Sequence, residues 1–180
     1  MRKLIVTEFL SLDGIMEEPM WTFKYWNDEI AAFKGEETSA GEPLLLGRVT
    51  YEGFAAAWPE RTDEESGGVY FNGTRKYVVS TTLDKLEWNN SVLIKDNIIE
   101  EITKLKQEDG PDIVVHGSGN LIQTLMKHDL VDRYHLLIYP VVLGSGQRLF
   151  PEGSTATLKL IKSQSFSSGV VGLIYEPERD

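Results

Sequence analysis

Pro43-Leu44-Leu45-Leu46-Gly47-Arg48-Val49-Thr50-Tyr51-Glu52 is the stretch that decides the fold of this chain. Three leucines in a row, with no polar break, read as a short strand buried on both faces, as in a parallel sheet covered by helices. Gly47-Arg48-Val49-Thr50 then turns the chain into a helix from Tyr51 to about Ala57. A strand that hands directly to a helix is half of a βαβ unit.

The same grammar recurs further along. Asp112-Ile113-Val114-Val115-His116 reads as a strand, Gly117-Ser118-Gly119 as a turn, and Asn120 to Lys127 as the helix that follows. Tyr77-Val78-Val79-Ser80 and Val92-Leu93-Ile94 are further strands, and Ile98, Ile102 and Leu105 fall at helical spacing in Ile98–Gln107. At the start, Lys3 to Leu10 reads as a strand closed by the turn Ser11-Leu12-Asp13-Gly14. A loop with Pro19 and Trp21 leads to a helix over Asn27–Lys34, with Asn27 or Asp28 as its cap. Pro59 to Gly68, acidic between Asp63 and Glu65, is expected to be a solvated surface loop. Arg133 to Tyr139 is a long strand stopped by Pro140, followed by a Gly144-Ser145-Gly146 turn. Thr157 to Tyr175 alternates around Ser167-Ser168-Gly169, the pattern of an antiparallel hairpin. The expectation is an α/β fold in three layers, with a mostly parallel central sheet, helices on both faces and an antiparallel C-terminal hairpin.

The 180 residues suit one domain spanning 1–180, and 41% hydrophobic residues supply a real core. Cysteine is absent, which excludes disulfides, thiolate catalysis and cysteine-held zinc within this chain. The formal net charge of −10 argues against a nucleic-acid partner, which would call for a basic face. No window approaches the roughly 20 apolar residues of a membrane helix. The first apolar run is broken by Thr7 and Glu8, so a cytoplasmic location is expected.

A parallel sheet of this type binds ligands outside the carboxyl ends of its strands. Gly47, Ser80 and Gly117 each follow such an end, so three separate segments converge on one rim. At Gly117-Ser118-Gly119-Asn120-Leu121, glycines and helix amides would admit a phosphate, although a plain strand-to-helix turn reads the same way. Arg48 and Thr50 could grip a pyrophosphate, or be a solvated arginine and a cap. Ser80-Thr81-Thr82 offers hydroxyls, or simply turns.

Taken in order, the acidic Asp28-Glu29 ahead of Phe33, the Leu44–Thr50 segment, Val78-Val79-Ser80-Thr81 and His116-Gly117-Ser118-Gly119 resemble the dihydrofolate-reductase-like superfamily. Ser11-Leu12-Asp13-Gly14 and Pro140-Val141-Val142-Leu143-Gly144-Ser145-Gly146-Gln147-Arg148-Leu149-Phe150 look more like one subgroup, the reductase domain of riboflavin biosynthesis and its stand-alone bacterial relatives. The resemblance implies a dihydrofolate-reductase-like fold, NADPH as cofactor, and hydride transfer to a ribosylaminopyrimidine or pterin. It also implies a homodimer, because such relatives commonly pair. Gly47, Arg48 and Thr50 would hold phosphates, with Ser80 and Thr81 near an adenosine 2′-phosphate. Gly117, Ser118, Gly119, Asn120 and Leu121 would pack on the pyrophosphate.

Reduction of a C=N bond also needs a proton, which a carboxyl group can support. Glu29 is the first candidate and Asp13 the second. Each has a plain alternative, a first-turn helix acid and a turn residue. Asp28 lies one residue from Glu29 and competes for the same role. Trp21, Phe33 and Arg148 are the expected substrate contacts, and no metal site is expected. His116 reads as a hydrogen-bonded core histidine. Folate reduction proper, or a nucleotide-binding relative without turnover, are the alternatives.

Overall fold

The computed structural model describes residues 1–63 and 67–179. The part of the acidic loop formed by Glu64 and Glu65 therefore lies outside the described residues.

The chain runs through β1 (Leu4–Ser11), a 3-10 helix (Pro19–Tyr25), α1 (Asp28–Glu36), β2 (Leu44–Gly47), α2 (Arg48–Ala57) and α3 (Gly68–Gly73). It continues with β3 (Lys76–Val79), β4 (Ser91–Ile94), α4 (Ile98–Gln107), β5 (Ile113–His116), α5 (Gly119–Lys127), β6 (Arg133–Tyr139), β7 (Leu158–Ser165) and β8 (Val171–Pro177). One eight-stranded sheet has the order β4-β3-β2-β5-β1-β6-β8-β7. β1 to β6 run parallel, and the β7–β8 hairpin adds two antiparallel strands beside β6.

Two apolar layers enclose the sheet. On one face, Leu4, Val6 and Leu10 of β1 pack with Ile113 and Val115 of β5 and with Ile102, Leu121, Ile122 and Leu125 of α4 and α5. On the other, Ile30 and Phe33 of α1 cover Leu137 and Tyr139 of β6, while Tyr51 of α2 covers Leu44, Leu46 and Val78. Leu44, Leu45 and Leu46 are fully buried, as an unbroken apolar run in a doubly covered strand requires.

Three details differ from the sequence reading. The second helix begins at Arg48 instead of Tyr51, because Gly47 itself stands in extended geometry as its cap. Pro19–Tyr25 and Gly68–Gly73 are short helical segments, and neither carries a repeating apolar stripe that would announce it.

Candidate active site

Between β1 and β5 the sheet parts. Their last pair is Thr7 with His116, after which β1 continues alongside β6 to Ser11, while β5 leaves through Gly117 at φ +56° and Ser118 at φ +68°. The connections after β1 and β5 depart to opposite faces, so a crevice opens at their carboxyl ends, where open α/β sheets bind ligands.

One side of this rim is built from α2 and α5. The Gly47 amide donates to Ser118 Oγ at 2.7 Å, and Ser118 Oγ donates to Thr50 Oγ1 at 2.8 Å. A β-carbon on Gly47 would stand 2.9 Å from Ser118 Oγ, and one on Gly117 2.9 Å from Thr50 Oγ1. The glycines are thus required by the close approach of these two helix starts. Ser118, drawn off to Gly47 and Thr50, caps nothing, and neither α2 nor α5 has a side-chain cap. Two sets of helix-start amides therefore face the same rim, an arrangement suited to anions. Arg48 is exposed beside them and pairs with Glu52 at 2.9 Å. Ser80 follows β3, the neighbour of β2, and its Oγ accepts from the amides of Thr82 and Leu83; Thr81 is exposed. The rim thus brings together Gly47, Arg48, Thr50, Gly117, Ser118, Gly119, Asn120 and Leu121, with Ser80 and Thr81 one strand further out.

Gln147 joins this group without having been singled out in the sequence. Its side chain donates to Asn120 Oδ1 at 3.2 Å and packs against the bare α-carbon of Gly119, while its backbone amide donates to Glu17 at 2.9 Å. The signal was available in Gly144-Ser145-Gly146-Gln147-Arg148, a second glycine turn near the same rim.

Both proposed acids are engaged by neighbouring loops. Glu29 is exposed in the first turn of α1 and accepts from the hydroxyl and amide of Ser167, at 2.5 and 2.8 Å, and from Asn27 at 3.1 Å. The Ser167 hydroxyl, then its amide, hold the Glu29 carboxyl below its ordinary range. Asn27 is the cap of α1, accepting from the Ile30 amide, and Asp28 is exposed in the first turn. Asp13 accepts from the Ser11 hydroxyl and from the amides of Gly144 and Leu143, which bring its carboxyl down to about 2. Arg148 donates to the Asp13 carbonyl, so the pair ties the end of β1 to the loop after β6. Trp21 stacks edge-on against Tyr139 at 5.5 Å, and Phe33 is buried against Phe166 at 5.6 Å. The structure does not gather Glu29, Trp21 and Phe33 with the α2–α5 rim group, whereas Asp13 and Arg148 hold the loop whose Gln147 reaches Asn120.

A second polar group lies under α1. Lys34 donates to Thr7 Oγ1 and Glu37, both at 2.5 Å, and Glu37 accepts from Thr7 and from His135 Nδ1 at 3.1 Å. Burial alone would raise the Glu37 carboxyl, but the Lys34 ammonium and the His135 hydrogen bond outweigh it and hold it at about 2. Thr7 pairs with His116 on one side and His135 on the other, so His116, Thr7 and His135 form a row across the sheet. His116 packs against Phe54 and Phe71, and its Nε2, expected to be hydrogen-bonded, finds no partner among the described residues. Burial brings its imidazole down to about 3, with Lys34 acting in the same sense. Sequence reading missed Lys34 and Glu37, although with Ile30 and Phe33 they complete one helical stripe.

The chain matches the RibD C-terminal domain family over residues 2–172. It is 32% identical to the uncharacterized protein YyaP of Bacillus subtilis (strain 168), over 97% of this chain and 94% of that one. A Shewanella sp. PV-4 protein named for riboflavin biosynthesis superposes with a TM-score of 0.75 at 23% identity, covering 98% of this chain and 99% of its own. Dihydrofolate reductase from Enterococcus faecalis, complexed with NADP(H) and RAB-propyl, superposes with a TM-score of 0.65 at 14% identity, over 98% and 97% of the two chains. The fold is dihydrofolate-reductase-like.

Proposed function

The chain belongs to the RibD C-terminal domain family, and from that premise we propose that it is an NADPH-dependent reductase acting on a ribosylaminopyrimidine or a pterin. The observation that carries this reading is the joint between α2 and α5. Two uncapped helix starts meet at Gly47, Ser118 and Thr50, with the Arg48 guanidinium free to turn from Glu52 toward an anion. A dinucleotide has the matching chemistry, because its pyrophosphate can take amides and a guanidinium together. Ser80 and Thr81 are the hydroxyls for a further phosphate on the adenosine.

The residues present fit such a cofactor, and when bound its reduced nicotinamide supplies the hydride. This chain's own contribution is binding and orientation. Gly47, Arg48, Thr50 and the Gly117–Leu121 segment hold the phosphates at the rim, and the crevice between β1 and β5 receives the ring. Asp13 and Glu29 hold loops in this account. Both carboxyls are ionised by their hydrogen-bond donors at neutral pH, so neither brings a proton of its own. The homodimer and the cytoplasmic location belong to the same proposal. No helix among the described residues is long and apolar enough to cross a membrane.

The test is oxidation of NADPH by the purified protein against a panel of pterins and ribosylaminopyrimidines. Oxidation that depends on at least one panel member is expected. Saturable NADPH binding with no substrate-dependent oxidation anywhere in the panel would replace this reading with that of a nucleotide-binding relative.

A further inference from the structure

β7 is the last strand of the sheet, and its two faces differ in chemistry. Register sets Leu160 beside Tyr175, Ser163 beside Leu173 and Ser165 beside Val171, on the α5 side with Tyr134, Leu136 and Ile138 of β6. None of these residues is charged. Lys159, Lys162 and Glu176 lie on the reverse side, where Lys162 pairs with Glu36 of α1 and stands over the Phe33 ring. The α5 side stays open toward its outer end: Leu160 is 49% and Val171 36% exposed, and Leu173 and Tyr175 are half-buried. Ile161, set out by a bulge in the register, is 45% exposed beside Leu160. Next to this face runs a groove of about 610 Å³, lined by Met126, Tyr134, Phe150 and Leu158. Lys127 at the end of α5 and Glu178 after β8 also border it, and neither has an ion-pair partner among the described residues.

We propose that this face, with its groove, is the surface on which a second copy of the chain docks about a two-fold axis. It rests on the homodimer of the reading above and names its interface; it does not depend on the cofactor. A two-fold contact brings one patch against itself, so the patch must be self-complementary. Here knob and hole lie side by side: Leu160 and Ile161 project, and the groove at Tyr134 and Leu158 recedes. The charge suits the same partner. Two chains of net charge −10 repel, and an uncharged face is where they can approach. A two-fold can then set Lys127 of one copy against Glu178 of the other. A free strand edge could instead pair with its like, but Lys159, Lys162 and the bulge at Ile161 guard β7 against that. Stacking of the two sheets face to face, about 10 Å apart, remains.

Mass in solution is measured by light scattering across a dilution series for wild type, Leu160→Glu and Lys162→Glu, with circular dichroism to check the fold. The chain has no cysteine, so Leu160→Cys and Asp96→Cys can be treated with a short bis-maleimide without background. Asp96 follows β4, at the far edge of the sheet. A wild-type dimer is expected, weakened at least about a hundredfold by Leu160→Glu, which buries two unpaired carboxylates. Lys162→Glu, on the reverse face, should dimerise as wild type does. Leu160→Cys should cross-link two copies, and Asp96→Cys should not. Should Leu160→Glu fail to fold, the cross-linking decides. A wild-type dimer that Leu160→Glu leaves unchanged, or that Leu160→Cys does not cross-link, would overturn this surface and leave the homodimer standing. Equal weakening by both glutamate variants would overturn it too, as a general effect of charge. Wild type that stays monomeric at every concentration would overturn surface and homodimer together, while NADPH titration reports on the cofactor separately.

Discussion

Three glutamates on this chain meet three different fates, and burial with partnering decides each. Glu29 is exposed and held low by Ser167; Glu37 is buried and held at about 2 by Lys34 and His135; Glu8 is pushed to about 8 by burial, which outweighs Lys34 and the Gly117 amide. The signs follow from which state binds more protons. Folded Glu8 keeps its proton to about pH 8, whereas the unfolded chain releases it near 4.5, so its contribution is intact below 4.5 and lost as pH rises toward 8. The loss amounts to roughly 3–5 kcal/mol for a shift of this size. Glu37 works in the opposite direction, its contribution being present above 4.5 and lost as pH falls toward 2. His116, kept neutral, costs stability as pH falls from 6.5 toward 3. The Lys34 charge on α1 acts on all three groups and contacts Glu37 directly. Urea titrations across pH should therefore show Glu8→Leu gaining most on wild type at about pH 8 and above, with the gain shrinking toward pH 5. An equal gain at both ends would refute the assignment. Glu37→Gln should cost about 2–4 kcal/mol near neutral pH, because it leaves Lys34 buried without its counter-charge. A cost below about 1 kcal/mol, the size of a surface pair, would refute that role. At this scale the sequence was least legible. Glu29 reads as the pocket acid from its place ahead of Phe33, and the sequence does not show that Ser167, 138 residues away, donates to its carboxyl. Only tertiary contact distinguishes it from Glu37.

The elements were more legible where periodicity or an unbroken apolar run marked them. Leu44–Leu46 and Ile113–His116 announce parallel strands, and Ile98, Ile102 and Leu105 announce a helix. Gly68–Gly73 has glycine at both ends and no apolar stripe; the β-carbon that Gly68 lacks would collide with the Arg61 carbonyl. Its helix is set by contact with that segment more than by local preference. The α2–α5 joint lends itself to a test of the same kind. Gly117→Ala would place a side chain at φ +56° and 2.9 Å from Thr50 Oγ1. Left-handed strain and the forced shift of Thr50 together should cost about 1–3 kcal/mol. Thermal unfolding measures it directly, and an unchanged midpoint would mean that the joint is looser than described.

At the scale of the molecule, sequence reading gave six strands in a mostly parallel arrangement and a terminal hairpin. It could not give the order β4-β3-β2-β5-β1-β6-β8-β7, because which strand neighbours which is decided by crossovers and not by any local pattern. That order nevertheless explains why Gly47, Ser80 and Gly117 could be expected to converge: β3, β2 and β5 are consecutive in the sheet, so their carboxyl ends form one continuous rim. It also shows what no local pattern could, that β1 and β5 are neighbours and part at Glu8. The central claim is that this rim holds a dinucleotide through Arg48 and the paired helix starts. Titration of NADPH into wild type and Arg48→Ala by calorimetry tests it most directly. Saturable micromolar binding is expected, weakened about tenfold in the variant by loss of one charged phosphate contact. Absence of saturable binding of either NADPH or NADH to wild type, or identical affinity in Arg48→Ala, would contradict it.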